Sequence, residues 1–356
     1  MSDASERLGA RSEPKASAAR RQRGAMLART GLALALVAWL LWRADPHQIL
    51  GTLAGVDPWR LAAALATLFS YSVLKAWNWQ QLVIGLGLGR PRQFRQLLVC
   101  YFSGGLLGTV LPSTAGTDAI RAFLAQRRFG GELTAYAASV VVLNAISWMA
   151  ACTLGLFAVV ALSVLGTPLR VALLAAPIFC GVVVAVVSVH LLLKYRRRFW
   201  LGLLRLTPRP LLRVRRPLRR FADQLLLFER AEARFGAVFA TALGTQLGVA
   251  VTLSLAGRAV GIELPFWYWM IYGPLASTVG LIPATFLGFG IDQVTAVYFL
   301  DLLGVPQARA FSASALVSLL NLLINIGVGG LVFATASDER RPAVVAVERT
   351  AEDRLI

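Results

Sequence analysis

Two carboxylates stand inside long apolar stretches of this sequence, Asp118 and Asp292, and a third, Asp301, lies near the end of one. An aspartate at mid-bilayer costs about 2.5–3.5 kcal/mol on insertion scales, so it needs a partner or a cavity. Asp118 has one in reach. Arg121 follows three residues later, close enough to pair on one helix face. Such a pair can take an anionic group, the guanidinium holding a phosphate while the carboxylate orients it. A structural ion pair, or an arginine reaching back to the interface, would leave the same residues in the sequence. Other polar and small residues recur at helical spacing. Ser314, Ser318, Asn321, Asn325 and Gly329 form one stripe, Thr241, Thr245, Gly248 and Thr252 a second, and Asn144 with Ser147 a shorter one. These stripes face the inside of a bundle. Interhelical hydrogen bonds account for them at ~0.6 kcal/mol each, and a lining for a polar head group is the sharper alternative.

The chemistry of soluble enzymes finds little to use. Gly85-Leu-Gly87-Leu-Gly89 follows an apolar span rather than a strand, so it is no dinucleotide fingerprint. His47 and His190 are isolated, without the spacing of metal ligands. Cys100, Cys152 and Cys180 lie inside apolar blocks without CxxC spacing and read as small packing residues. There is no Walker A sequence to bind ATP. We therefore expect no catalytic residue, no metal, no cofactor and no enzyme activity.

The elements that position these residues follow from composition. Of 356 residues 57% are hydrophobic and only 15% charged, where a soluble domain carries about 25%. The apolar residues come in blocks of about 20, the length that crosses a hydrocarbon core. Loops and open sheets cannot face lipid, so the blocks must be helices. The expected fold class is all-α, a polytopic membrane helical bundle. Net charge is +18, which in a soluble protein would suggest nucleic acid. Here the arginines sit in tails and loops beside the spans, where the positive-inside rule explains them, and no nucleic acid is expected.

Those flanks order the chain. Residues 1–24 read as a disordered basic cytoplasmic tail, 25–335 as the transmembrane domain and 336–356 as a polar cytoplasmic tail. Within the domain, residues 194–220 hold eleven Lys/Arg and no acid, a basic cytoplasmic connection. Its Arg196, Arg197, Arg198, Arg213, Arg215 and Arg216 are candidates for an anionic-lipid surface, and a solvated loop is the plain alternative. Full spans are expected over about 31–42, 59–86, 136–165, 169–193, 235–256 and 310–334. Leu97–Pro112 is too short to cross and is basic on both sides, at Arg90, Arg92 and Arg95 and at Arg121, Arg127 and Arg128. It reads as a re-entrant hairpin whose helix breaks at Pro112. Parity makes residues 266–303, interrupted by Pro274, Gly280, Pro283, Gly288 and Gly290, a second hairpin of opposite sense. The breaks are alike: Leu-Pro112-Ser113-Thr114 leads to Gly116 and Asp118, and Ile-Pro283-Ala-Thr285 leads to Gly288, Gly290 and Asp292. Six full spans plus two re-entrant hairpins in a degenerate inverted repeat is the arrangement that points to a transporter's binding site. The candidate substrate-binding residues are Pro112, Ser113, Thr114, Gly116, Asp118, Arg121, Asn144, Pro283, Thr285, Gly288, Gly290, Asp292, Gln293, Asn321 and Asn325.

The run from Phe102 to Arg121, with Pro112, Gly116 and Asp118 in order, resembles a signature of the flippase-like lysylphosphatidylglycerol synthase transmembrane family. Ile282-Pro283 through Gly288-Phe-Gly290-Ile291, with Gly304-Val305 later, resembles its second signature. The resemblance covers roughly residues 30–335. It implies a flippase-like membrane domain, associated in relatives with moving aminoacylated phospholipids, hopanoids or lipid-linked sugars. Two charged pairs of the family are altered, to Leu143-Asn144 and to Asp292-Gln293, and the membrane region is expected to stand without an aminoacyl-transferring domain.

The expectation is a multi-pass protein of a bacterial-type cytoplasmic membrane with both termini cytoplasmic. Its partners would be membrane phospholipids or a lipid-linked substrate, moved between leaflets. An inactive or regulatory membrane subunit is one alternative. A membrane-embedded lipid-modifying enzyme is another, and would have to draw on Asp45, His47 and Asp57 in the outer loop. The lipid, the direction and energy of transfer and the oligomeric state are not readable.

Overall fold

The computed structural model describes residues 46–109, 114–165, 180–181, 232–279, 285–286 and 289–338. The expected spans at 31–42 and 169–193, the basic connection at 194–220 with its six arginines, and both tails lie outside the described residues, apart from 180–181 and the helical residues 336–338. What is described is almost wholly helical. In chain order it comprises α1 (Pro46–Ala54), α2 (Pro58–Gly85), a 3₁₀ turn (Pro91–Gln93), α3 (Phe94–Gly108), α4 (Thr114–Phe129) and α5 (Leu133–Val164). After a gap come α6 (Glu232–Ala259), α7 (Phe266–Val279), the two-residue strands β1 (Thr285–Phe286) and β2 (Phe289–Gly290), α8 (Ile291–Asp301) and α9 (Gln307–Asp338).

Local chemistry sets the helix ends. Pro58 opens α2, and the Asp57 carboxylate before it accepts from the Trp59 and Arg60 N–H groups at 2.9 and 3.3 Å, the usual satisfaction of free N-terminal donors. Gly130 and Gly131, both at positive φ, turn α4 into α5 within three residues, a path closed to residues with a Cβ. Three described helices are long and apolar enough to cross a membrane, within Leu133–Val164, Gly236–Ala259 and Gln307–Leu331. Helix α2 has 28 residues but is less apolar, with Lys75, Asn78, Gln80 and Gln81 in its second half. Asn78 and Gln80 are buried, and the Asn78 carboxamide oxygen accepts from Thr241 on α6. Gly248 is seated on Tyr71, where an added Cβ would come within 2.8 Å of the tyrosine Cβ, so the Gly244-xxx-Gly248 face joins α6 to α2.

Helices α3 and α4 form an antiparallel hairpin. Gly104 stands against Arg121 and Gly108 against Thr117, so an advance along α3 is a retreat along α4. Their 15 and 16 residues rise only ~22–24 Å each. The antiparallel course puts Arg92 and Arg95 at the same end as Arg127 and Arg128. One detail departs from the sequence reading: α3 already ends at Gly108, before Pro112, which lies outside the described residues.

Helices α7 and α8 make the second hairpin, joined through the antiparallel ribbon that pairs Thr285 with Gly290 and Phe286 with Phe289. Tyr272 and Phe299 pack across it with tilted rings, centroids 5.3 Å apart. Pro274 was expected to interrupt this block, but it lies inside α7. A helical proline forfeits one hydrogen bond and crowds the preceding turn. Every residue from Tyr268 to Pro274 is buried, and that packing carries the helix through to Val279.

The interior divides in two. One apolar core gathers α2, α3 and α4 with Tyr136–Ala150 of α5, Val238 and Ala242 of α6, and Leu320 and Ile324 of α9. The other gathers α7 and α8 with Cys152–Leu162 of α5, Ala250 of α6, and Phe311–Leu316 of α9. Each hairpin thus has its own core, and α5, α6 and α9 run through both.

Candidate functional site

The first hairpin holds a polar network built on Asp118 and Arg121. Arg121 Nη1 meets Asp118 Oδ1 at 3.0 Å, with the two side chains 15% and 19% exposed. The three-residue spacing on α4 places them on one face. The second carboxylate oxygen of Asp118 accepts from Asn144 Nδ2 of α5 at 2.6 Å, so both oxygens are occupied. Arg121 Nε donates to the Tyr101 carbonyl of α3 at 3.2 Å, and its guanidinium lies 4.0 Å over the Tyr101 ring, a cation–π contact that strengthens away from water. Glycines make this approach possible. A Cβ on Gly104 would strike the Arg121 side chain, and one on Gly105 would strike the Asn325 carboxamide. Arg121 Nη2 would lie 3.7 Å from the same added Cβ. Asp118, Arg121, Tyr101, Asn144 and Asn325 therefore form one cluster drawn from four helices, with the acid and the base balancing.

The second hairpin is built around an amide. Gln293 is fully buried. Its Oε1 accepts from the Gly290 N–H at 2.6 Å, and its Nε2 donates to Ser318 Oγ of α9 at 2.9 Å. Gly290 precedes α8 with φ of 139°, a conformation that strains any other residue. One side chain thus ties the start of α8 both to the ribbon and to α9.

Helix α9 relates the two sites. Gly329 faces the Phe102 carbonyl, Asn325 faces Gly105, and Ser318 faces Gln293. Going from Gly329 to Asn325 on α9 corresponds to going from Phe102 to Gly105 on α3, toward the end of that helix. The C-terminal end of α3 and the N-terminal end of α8 therefore both approach the middle of α9, near Ser318–Asn321. The stripe expected to line the bundle is the surface that both hairpins use. At the same level Gln246 Nε2 of α6 donates to the Ser147 carbonyl of α5 at 3.1 Å.

Among the expected site residues, Asp118, Arg121, Asn144 and Asn325 come together, and Gly290 and Gln293 come together. Asn321 instead donates to the Val317 carbonyl of its own helix at 3.0 Å. Asp292 occupies the first turn of α8. Thr114 opens α4, Gly116 lies in its first turn and Thr285 is in β1. Pro112, Ser113, Pro283 and Gly288 lie outside the described residues. Tyr101 was missed, because only the register of the hairpin brings it to Arg121. Ser318 was read as part of a stripe, without its tie to Gln293. Among the described residues no group of three His, Cys, Asp or Glu side chains could hold a metal.

Residues 26–329 match the family model described as the lysylphosphatidylglycerol synthase TM region. No curated protein matches the chain. With the match covering most of its length, the chain belongs to the lysylphosphatidylglycerol synthase TM-region family, and it is a membrane protein.

Proposed function

We propose that this member of the lysylphosphatidylglycerol synthase TM-region family is a flippase-like protein, not an enzyme, and moves a lipid or lipid-linked head group between leaflets. The observation that carries the reading is the convergence of two antiparallel hairpins on the middle of α9, one backed by the Asp118–Arg121–Asn144 network and the other by Gln293. Broken helices meeting inside a bundle are where transporters bind substrate. In this reading the arms of both hairpins stop short of a full crossing, and the termini of the chain are cytoplasmic.

The chemistry fits a phosphate-bearing head group. A charged head group entering the hydrocarbon region must exchange its hydration for protein groups. Arg121 has its Nε and one Nη1 proton engaged and its charge compensated by Asp118, and its Nη2 edge lies beside the Asn325 amide. That edge can receive one phosphate oxygen while Asp118 and Tyr101 hold the guanidinium plane. Because the ion pair is internal to the protein, it brings no uncompensated charge into the bundle. The acyl chains would remain in the surrounding bilayer.

In vesicles reconstituted with the purified protein, a fluorescent phospholipid in the inner leaflet should become accessible to an external quencher faster than in protein-free vesicles. Equal rates across a panel of anionic, zwitterionic and aminoacylated phospholipids and lipid-linked sugars, with and without an imposed ion gradient, would defeat the reading. The topology has its own test. Single cysteines replacing Arg92 and Arg128, in a background without native cysteines, should react with an impermeant reagent from the cytoplasmic side alone. Reaction from opposite sides would make α3 and α4 cross the membrane separately and end the re-entrant interpretation.

A further inference from the structure

The two carboxylates that follow the chain breaks have opposite surroundings. Asp118 has both oxygens engaged, by Arg121 at 3.0 Å and Asn144 at 2.6 Å. Asp292 lies in the first turn of α8, and among the described residues no ion pair or hydrogen bond engages it. The N–H it could have capped, that of Gly290, is taken by Gln293. The described elements packed against α8 supply no cation beside it. Helix α7 presents Tyr268 and Tyr272, α8 itself adds Tyr298 and Asp301, and β2 has no titratable group. On α9 the charged side chain described is Arg309, which donates to the Gly261 carbonyl beyond the other end of α8. Asp301 is nine residues along α8 from Asp292, ~14 Å of helix rise. Of these groups Tyr272 is buried and its ring packs against Phe299 of α8.

Beyond the field of the α8 N-terminus, an acid at membrane depth without a counter-charge has two ways to lower its energy. It can bind a cation, or it can bind a proton and become neutral, which is the chemistry of proton relays in membrane transporters. A tyrosine ring and a buried amide offer no oxygen cage for a metal ion, but a carboxyl and a phenol suit a proton. We infer that Asp292 is a proton-binding site, its carboxylate taking up H⁺ to form the neutral acid and releasing it again. The inference rests on the transport reading for its purpose: the first hairpin would hold the head group and the second would couple its movement to a proton.

Dicyclohexylcarbodiimide modifies carboxylic acids that are protonated in apolar surroundings, so it tests the assignment directly. The full-length protein in phospholipid vesicles is treated with the reagent across a range of pH, and peptide mass spectrometry reads the adducts at Asp292 and Asp118 separately. Asp292 should be modified, its rate falling about tenfold per pH unit above the midpoint of its titration, and Asp118 should not. Asp292→Asn should lose the adduct and Asp292→Glu should keep it. Modification of Asp118 without Asp292 overturns the inference, and so does a rate at Asp292 that is the same at pH 6 and pH 8. Protection of Asp292 by sodium at constant pH would make it a metal-cation site instead and also overturns it. Protection by an aminoacylated lipid, and not by other phospholipids, would make it an amine site with the same result. None of these readings requires lipid movement. A protein that labels as expected but transfers no lipid in the vesicle assay would refute the functional proposal and leave the proton site in place.

Discussion

Replacing Asp118 with Leu and Arg121 with Met together should give a protein that accumulates in the membrane and no longer moves lipid, whereas either single replacement should fail to accumulate. The expectation comes from the difference between breaking a buried pair and deleting it. With Arg121 gone, the Asp118 carboxylate keeps only the Asn144 amide, and with Asp118 gone, the Arg121 guanidinium keeps only the Tyr101 carbonyl and ring. Leaving one charge uncompensated costs about 3–5 kcal/mol, a large part of the stability of most folded proteins. Removing both replaces two charges by apolar groups of similar volume, which is often neutral or stabilising. What remains is the Asn144 amide without its acceptor, about 1–3 kcal/mol if it stays buried, and Asn144→Leu in the same protein removes that residue of the cost. Levels in the membrane and thermal stability in detergent read the structural part, and transfer in vesicles reads the other. A double variant that transfers at the wild-type rate would assign the pair to scaffolding. A double variant as unstable as the singles would show that the network is held by more than its ion pair.

How far the sequence anticipated this site follows the range of each interaction. Asp118 and Arg121 were readable because they are three residues apart on one helix, and a local rule pairs them. The stripe on α9 was readable because helical period sorts residues onto a face without knowledge of the partner. Helices α2, α5, α6 and α9 were found to within a few residues, since long apolar blocks leave little choice in a bilayer. Tyr101 and its contact with Arg121 were not readable. They depend on the register between α3 and α4, which Gly104 and Gly108 set by letting the helices touch, and no local pattern fixes a register between two helices. Pro274 misled for a related reason. Its local effect is to end a helix, but seven successive buried residues of α7 outweigh it, and burial is a property of the neighbours. The likeness of the two breaks was visible as Pro, Thr, Gly and Asp in order. That their flanking helices converge on the middle of α9 was a matter of three-dimensional packing.

Gln293 carries the second large effect. Gln293→Leu should destabilise the protein by about 2–4 kcal/mol and slow transfer, although Gln293 is charged in neither state and need never touch a substrate. The side chain is fully buried and serves two partners at once, the Gly290 N–H and the Ser318 hydroxyl. Leucine has nearly the same volume and takes the acceptor from the Gly290 N–H and this donor from Ser318, at about 1–3 kcal/mol for a buried polar group left unsatisfied. Ser318→Ala removes one partner and leaves the Gln293 Nε2 alone, a smaller loss. The two changes share a hydrogen bond, so their combination should be less damaging than the sum, by about 1 kcal/mol, the signature of residues in contact. Glutamate at this position is the informative intermediate. It keeps the acceptor for Gly290 and lets Ser318 donate instead, but places a second carboxyl beside Asp292. Gln293→Glu should therefore retain stability at low pH, where the new acid is neutral, and lose it as the pH rises and a charge is forced into the buried site. Thermal melting of the four proteins across pH separates these cases. If Gln293→Leu melts with the wild type, the amide is not what anchors α8, and the ribbon between Thr285 and Gly290 must hold the second hairpin to α9 without it.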